Sequence, residues 1–265
     1  MSSRGSAMAR RQLYGANAET KLPAWPRSQI VESVSPVALR QLRREELPQH
    51  TVALTRFLIG KVVVHDLPEG RISGRIVEAE AYPPGDPAGH HFRGPTPRIR
   101  AMYMAPGHAY VFFNYGNHFM LNVSSEPEGT AGGILIRALE PLEGIALMQK
   151  HRGTSRLLDL TRGPGRLAAA LQITREHDGI DLTTSPTLWL GELISSPGEN
   201  GETRRAPGIA RTVRIGITRA AERLLRFYER GNPFVSGPKR LLAGGRDRAE
   251  KRRGARNGKD RLTRK

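Results

Sequence analysis

The chain contains no cysteine, although it is 265 residues long. This absence excludes a disulfide framework, a thiolate zinc site, an iron–sulfur cluster and a cysteine nucleophile. Acidic residues are also scarce, because 25 Asp and Glu stand against 42 Lys and Arg, for a formal net charge of +17. Such a charge favours binding to a polyanion, but it does not distinguish DNA from RNA or from a membrane surface.

Long apolar runs and several catalytic motifs are missing as well. No stretch approaches the roughly 18 apolar residues of a membrane helix, and the opening MSSRGSAMARRQLY has no apolar segment of signal-peptide length. We therefore expect a soluble intracellular protein. Walker, G-x-S-x-G and G-x-G-x-x-G motifs do not occur, so the sequence does not support nucleotide-driven, serine-hydrolase or Rossmann chemistry.

Composition divides the chain into three parts. Residues 1–40 mix Ser, Ala, Pro and charge without a sustained period, which indicates a flexible leader. Residues 236–265 hold 12 basic and 3 acidic residues among scattered glycines, which is typical of a disordered basic tail. Residues 41–235 show regular apolar patterning without a linker or an internal repeat, and we predict that they form one domain.

Local patterns within this domain predict mostly strands. Strands are predicted at 61–65, 72–82, 109–114, 118–124 and 133–139 and near 187–190 and 212–217, and helices at 48–60, from about Pro141 and from Gly163-Pro164. The strands that flank the Tyr115-Gly116 pair form an antiparallel hairpin in this prediction. Because the strands are mostly consecutive, an α+β fold with a largely antiparallel sheet is favoured over a parallel α/β fold.

The segment IVEAEAY, residues 76–82, brings acidic and aromatic side chains together. Side chains alternate along a strand, so Glu78, Glu80 and Tyr82 share one face. An unpaired buried carboxylate is costly, and such a pair is therefore expected to hold a water, a metal ion or an arginine. A solvated face with ion pairs is the alternative interpretation.

The next segment, PPGDPAGHHFRG, is a predicted loop that carries two histidines. Long loops inside a compact domain are often functional. Together with Asp86, His90 and His91 fit a metal site, a hydrogen-bonding or stacking role, or plain loop packing. The sequence alone does not decide among these three, although adjacent residues rarely bind the same ion.

Aromatic side chains are concentrated around the predicted hairpin turn. Tyr115 stands at the turn, where it cannot easily join the core, and an exposed ring there fits a wedge between nucleic-acid bases. Phe112 and Phe113 point to opposite faces of their strand. At least one of them fills the core, and rings along these strands also fit stacking on an extruded base.

A second candidate for nucleic-acid contact is the predicted helix start TRGPGRL, residues 161–167. It offers free backbone amides, the positive end of a helix dipole and the side chains of Arg162 and Arg166. This combination suits a phosphate, and we predict that both arginines contact a phosphate group.

Five sequence blocks occur in order between about residues 40 and 236. They are GRIVEAEAY, DPAGH, RGPTPRIRAMYMAPGHAYVFFNYGNHFMLNVSS, ILIRALEPLEG and LTRGPGRLAAALQI. Together they resemble the alkyladenine (3-methyladenine, or methylpurine) DNA glycosylase family. The resemblance implies a single mixed domain with a curved, largely antiparallel sheet, a protruding hairpin, surrounding helices and no helix-hairpin-helix.

The same resemblance implies a function in base-excision repair of DNA damage. Such an enzyme flips an alkylated or deaminated purine out of double-stranded DNA and hydrolyses its N-glycosidic bond without a metal or another cofactor. It implies a monomer with no membrane contact, which in a prokaryote is cytoplasmic and associated with the nucleoid through DNA.

Site residues follow from the matched positions. The resemblance makes Glu80 the residue that activates the attacking water, with Arg137 near that water and the phosphate of the flipped nucleotide. In the family's pattern, the remaining positions bind or replace the base: Tyr82, His90 and Phe112 line its pocket, Asn122 excludes guanine by a clash with the 2-amino group, and Tyr115 fills the gap in the duplex. Family members often carry Tyr in place of Phe112.

This chemistry agrees with the residue types. A carboxylate stabilises a sugar of oxocarbenium character while it accepts a proton from water. No lysine lies beside Glu80 in the sequence to form a Schiff base, so we expect hydrolysis to an abasic site rather than strand cleavage.

Two other functions stay open at this point. One is a metal-dependent nuclease that uses Glu78, Glu80, Asp86 and His90. The other is a non-enzymatic module that binds nucleic acid through its basic tail and stacks the aromatic hairpin on single strands.

Overall fold

A computed structural model describes residues 38–114, 116–194, 208–238 and 241–242. Within these ranges the chain forms a mixed α+β structure whose nine strands belong to one sheet, with antiparallel pairing between neighbours. The predicted α+β class and largely antiparallel sheet are therefore confirmed. No helix in the described ranges has the length and apolar character to cross a membrane.

The elements follow one another along the chain in this way. The strands are β1 Leu39–Gln41, β2 Val62–Leu67, β3 Gly70–Tyr82, β4 Ala109–Asn114, β5 His118–Ser124, β6 Gly133–Glu143, β7 Leu188–Leu193, β8 Ile209–Thr212 and β9 Arg226–Glu229. The α-helices are α1 Thr51–Leu58, α2 Ile145–Arg152, α3 Leu157–Leu160 and α4 Pro164–Ala170. Short 3₁₀ turns lie at Arg44–Glu46, His90–Arg93, Pro97–Tyr103 and Arg175–His177.

Strand β3 is the centre of the sheet. The strand order is β1-β7-β2-β3-β6-β5-β4, and β9 pairs with both β3 and β8. One edge of β3 pairs first with β2 and then, from Glu78 to Glu80, with β9, while β6 covers the other edge. The β3–β6 register shifts on both sides of Glu78. Consequently the two predicted carboxylates lie in the middle of the sheet, with a paired strand on each side.

The two faces of the sheet bury different apolar clusters. On β4, Ala109 and Val111 join the large cluster that includes helix α4, whereas Tyr110 and Phe112 join a smaller one with Met102. This division follows from the alternation of side chains along a strand. Full burial of a large apolar side chain contributes roughly 1.5–3 kcal/mol, so both clusters stabilise the sheet. The smaller cluster forms part of the wall of the cavity described below.

Strands β4 and β5 form the predicted hairpin. Asn114 pairs with His118 at its end, and the predicted Tyr115 at the turn lies outside the described residues. Phe112 is buried with 9% exposure, whereas Phe113 is 44% exposed and contacts the ring of Phe119 at a centroid distance of 5.0 Å. The prediction that the two adjacent phenylalanines point to opposite faces is confirmed.

Two predicted elements have the wrong bounds. Strand β6 continues through Pro141, which stands opposite Gly74 at a register shift, and helix α2 begins only after Gly144, whose φ of 69° turns the chain. Proline is tolerated at such irregular positions of a sheet. The late strand ends at Thr212 instead of spanning 212–217, because the chain then turns to place Arg214 and Ile215 beside β3.

The folded part of the chain extends beyond residues 41–235, the domain bounds predicted from composition. Strand β1 begins at Leu39, inside the predicted leader, and pairs with β7. Ser236, the first residue of the predicted tail, is buried, and its backbone N–H donates to Glu78.

Candidate active site

A cavity of about 410 Å³ opens on the face of the sheet that carries the smaller cluster. Five of the predicted site residues line it: Tyr82, His90, Phe112, Asn122 and Arg137. The rest of the wall comes from apolar side chains such as Met102 and Met120, from Pro164 at the start of α4 and from the segment Ile215–Ile217. The size and the mostly apolar lining suit a small planar ligand.

Glu80 is fully buried beside this cavity and contacts three of its lining residues. Oε2 accepts a hydrogen bond from the Tyr82 phenol at 2.9 Å. Oε1 accepts one from the backbone N–H of Ile215 at 2.8 Å and lies 3.2 Å from Nη1 of Arg137. Because an ionised carboxylate accepts about four hydrogen bonds, these three donors leave one position for a further donor such as water.

The surroundings of Glu80 have opposing effects on the pKa of its carboxyl group. Burial raises the pKa of its carboxyl above the ordinary value, against the lowering effects of Arg137, Ile215 and Tyr82. Burial also raises the pKa of Tyr82, and the charge of Glu80 adds to that effect. Tyr82 therefore stays protonated and donates, while Glu80 is a stronger base than an exposed glutamate.

Glu78 lies behind Arg137 and is fully buried. Its Oε1 accepts hydrogen bonds from Nε of Arg137 at 2.9 Å and Nε of Arg226 at 2.6 Å, and its Oε2 accepts one from the backbone N–H of Ser236 at 2.5 Å. Although burial opposes it, the Glu80 and Glu78 carboxylates raise the pKa of Arg137. The predicted face of β3 with two carboxylates thus holds an arginine, one of the three occupants expected from the sequence.

A continuous aromatic wall forms another part of the cavity. The rings of His90 and Phe112 contact each other at a centroid distance of 4.5 Å, and Tyr110 stacks on Phe112 at 5.4 Å. The phenol of Tyr110 lies 2.9 Å from Nδ1 of His90. Burial and the charge of Arg98 lower the pKa of His90, whereas burial raises the pKa of Tyr110 to about 12. Both side chains are therefore neutral at physiological pH.

Asn122 lines the cavity from strand β5 and is held rigidly. Its Nδ2 donates to the carbonyl of Tyr110 at 3.1 Å and to that of Met120 at 3.3 Å. The side chain is buried. Because its amide is fixed by the backbone of two strands, it forms a hard boundary of the cavity rather than an adaptable one.

The two arginines of the predicted phosphate site lie at α4 but do not line the cavity. Nε of Arg162 donates to the carbonyl of Val235 at 3.0 Å, and Nη1 of Arg166 pairs with Asp159 at 2.8 Å. A Cβ atom built at Gly165 would lie only 2.7 Å from Cγ of His118. The start of α4 therefore packs against the end of the hairpin, which brings it near the cavity mouth.

Sequence patterns did not identify the segment with Arg214 and Ile215, which packs against Tyr82 and Glu80. Arg214 is fully buried, lies 4.5 Å from the centroid of the Tyr82 ring and pairs with buried Asp86 at 2.9 Å. Ile215 supplies a backbone N–H to Glu80. The alternation of apolar residues in TVRIGI is typical of a strand, so the only available signal was the arginine within that apolar run.

Residues of the metal-nuclease alternative have separate partners. Glu78 and Glu80 contact Arg137, Asp86 contacts Arg214, and His90 contacts Tyr110. Across the part of the chain that the structure describes, no group of three His, Asp or Glu side chains has a geometry suited to a metal ion.

A family profile and individual relatives both match this chain, and they name the same type of protein. Residues 45–233 match the sequence profile of the family described as Methylpurine-DNA glycosylase (MPG). Relatives with the name "Putative 3-methyladenine DNA glycosylase" include one from Mesorhizobium japonicum, 58% identical over 200 residues, which covers 76% of this chain and 92% of the relative. Others come from Paraburkholderia phytofirmans, 49% identical over 80% of this chain and 95% of the relative, and Methanoculleus marisnigri, 44% identical over 70% and 93%.

Proposed function

The chain belongs to the methylpurine-DNA glycosylase family, and we propose that it removes alkylated or deaminated purines from duplex DNA with a water activated by Glu80. As a member of this family it is a DNA glycosylase of the 3-methyladenine type, a hydrolase that acts on N-glycosyl bonds. The observation that carries the proposal is the buried Glu80 carboxylate, held by three donors at the wall of an aromatic cavity.

In the proposed reaction the water occupies the remaining acceptor position of Glu80. As the bond between C1′ and the purine nitrogen breaks, its electron pair leaves with the base and the sugar gains oxocarbenium character. The ionised carboxylate stabilises that charge, accepts a proton from the water and directs its oxygen to C1′. Arg137 keeps Glu80 ionised against the effect of burial. The products are a free base and an abasic site.

The cavity is the proposed binding site of the flipped base. Its volume of about 410 Å³ and its rings at Tyr82, His90 and Phe112 provide flat contacts for a purine. An alkylated purine is often cationic, and a cation is attracted to aromatic faces. Opening the stack costs a few kcal/mol, least for a damaged or mispaired base, so flipping itself contributes to selectivity.

Contacts outside the cavity complete the proposal. Tyr115 stands between Asn114 and His118 in the sequence, and we assign it the role of the wedge that fills the gap in the duplex. Arg162 and Arg166, near the packed end of that hairpin, are assigned to the DNA phosphates.

The decisive experiment is base release from duplexes that each carry one lesion. The lesions are 3-methyladenine, 7-methylguanine, hypoxanthine and ethenoadenine, and alkali converts each abasic site into a strand break. In EDTA we expect breaks only after alkali treatment. Breaks that need a divalent cation would indicate a nuclease, and lesion binding without breaks on any substrate would indicate a non-enzymatic module.

A further inference from the structure

Two of the groups that bind the Glu80 carboxylate are themselves held in place by other residues. One is the guanidinium of Arg137, and the other is the backbone N–H of Ile215. Neither residue lies on the strand that carries Glu80: Arg137 is on β6, and Ile215 follows β8. The geometry of the carboxylate therefore depends on contacts that keep these two elements in place.

Arg137 is fixed by a buried network of charges and backbone. Glu78 binds Nε of Arg137 and Nε of Arg226 with the same oxygen. The network closes at Ser236, whose N–H donates to Glu78 at 2.5 Å and whose carbonyl accepts from Nη2 of Arg226 at 2.7 Å. Two carboxylates and two guanidiniums are thus buried together with their charges balanced, a state that requires close pairing.

Gly237, the residue after Ser236, packs closely against the side chain of Ile215. Gly237 has a φ of 89°, and a Cβ atom built there would lie only 2.5 Å from Cδ1 of Ile215. The Ser236–Gly237 backbone therefore contacts both supports of Glu80, through Glu78 on one side and through Ile215 on the other. This segment is the point where the domain joins the basic C-terminal residues.

We propose that Glu78 and the Ser236–Gly237 segment are positioning residues for the hydrolytic step, because they hold the two groups that fix Glu80. The inference rests on the proposed function of Glu80. It assigns the first residues of the basic C-terminal part to the catalytic machinery rather than to DNA affinity. Small displacements of reacting groups cost up to about a hundredfold in rate, which sets the scale of the expected effect.

Glu78→Gln tests the first half of the proposal. Glu80 faces the charges of Arg137 and Glu78, the Tyr82 phenol and, across the strand pair, Arg226. Arg137 lowers the pKa of Glu80 more than the charge of Glu78 raises it, so displacement of Arg137 in this variant should shift the acid limb of the single-turnover pH–rate profile to higher pH. A shift to lower pH is the result expected from loss of the Glu78 charge alone, with Arg137 still in place. We also expect excision at neutral pH to fall by about ten- to a hundredfold, with lesion-duplex binding changed only slightly.

Glu140→Gln is the matched control. Glu140 pairs with Arg75 between the same strands, β3 and β6, but it does not line the cavity. We expect neither the rate nor the acid limb to change in this variant. An unshifted limb and a wild-type rate in Glu78→Gln, or an equal loss in Glu140→Gln, would overturn the inference. If the wild type released no base at all, the proposed function itself would fail instead.

Alanine substitutions at two glycines test the second half of the proposal, the role of the Ser236–Gly237 segment. They leave the buried charges unchanged. Gly237→Ala places a methyl group against the side chain of Ile215 and strains the backbone at a φ of 89°. If the proposal is correct, this moves the Ile215 N–H away from Glu80 and removes a hydrogen bond that lowers the pKa of that carboxyl. We expect a several-fold slower excision and an acid limb moved to higher pH. Gly231→Ala carries the same backbone strain at a φ of 76° but meets open space, and it should behave as wild type. Identical profiles for the two variants would contradict the proposal, even if Glu78→Gln failed to fold.

Discussion

The phenol of Tyr82 donates a hydrogen bond of 2.9 Å to Oε2 of Glu80. The two residues are next but one in strand β3, so they lie on the same face of the sheet. One of them lines the cavity, and the other is buried behind its wall. The same contact therefore orients the aromatic wall and supplies a donor to the carboxylate that we assign to catalysis.

Tyr82→Phe should separate these two roles. The ring remains, but Glu80 loses a hydrogen bond that lowers its pKa, so its pKa should rise further. Loss of a hydrogen bond to a charged group costs roughly 1.5–3 kcal/mol, and we expect the acid limb of the excision profile to move to higher pH. Tyr228→Phe, which loses a phenol that donates to the Leu242 carbonyl, should leave the limb in place. A limb that stays unchanged in Tyr82→Phe would show that the phenol does not act on Glu80.

Glu80→Gln should abolish excision and preserve binding. The amide keeps the size of the side chain but cannot accept the proton of the attacking water, and loss of a general base typically lowers a rate about 10²- to 10⁴-fold. We expect lesion-duplex affinity within a few-fold of wild type, as measured by fluorescence anisotropy, beside a single-turnover assay of base release. Glu128→Gln removes one exposed carboxylate and controls for net charge. Base release by Glu80→Gln near the wild-type rate would remove Glu80 from its assigned role.

Local patterns predicted those parts of the site that one short segment determines. Alternation along β3 placed Glu78, Glu80 and Tyr82 on one face, and the structure joins all three to Arg137 directly or through one contact. The hairpin also follows from local pattern, because its two strands lie on either side of the Tyr115-Gly116 pair in the sequence. In both cases the partners are close in sequence, so a period of two residues is sufficient information.

Local sequence patterns did not predict the residues that support the site from distant parts of the chain. Ile215 reaches Glu80, and Ser236 reaches Glu78, through backbone N–H groups, which every residue except proline carries. Arg214 lies in a run that alternates like a strand but leaves the sheet to pair with Asp86. Composition likewise assigned Ser236 to a tail, because a basic, glycine-rich segment does not reveal that its first residue is buried. Tertiary contacts determine the positions of such residues, and the periodicity of a single sequence does not indicate these contacts.

Asn122→Ser should relax the selection against normal guanine. The asparagine amide is fixed by the carbonyls of Tyr110 and Met120, so a group that clashes with it cannot push it aside. In the role that we assign to Asn122, a smaller side chain removes its clash with the 2-amino group of guanine, and steric discrimination of this kind is worth roughly tenfold or more. We expect at least about a tenfold rise in guanine release from undamaged duplex DNA, measured by chromatography of the free bases. Asn117→Ser, at an exposed turn position, is the matched control, and equal guanine release by the two variants would contradict this role.

Deletion of residues 243–265 should weaken DNA binding without slowing the chemical step. These residues carry ten basic and three acidic side chains, and each phosphate contact adds about 0.9 to the slope of log affinity against log salt. We expect a flatter salt dependence of duplex binding and an unchanged single-turnover rate at saturating enzyme, because Ser236 and Gly237 remain. A full-length chain with the same tail residues in scrambled order should keep the wild-type slope, since the effect depends on charge.

Deletion from residue 236 onward, in contrast, removes the N–H that binds Glu78 and should slow excision itself. If the shorter deletion slowed excision as much as the longer one, the catalytic contribution would lie beyond Leu242 rather than in the Ser236–Gly237 segment.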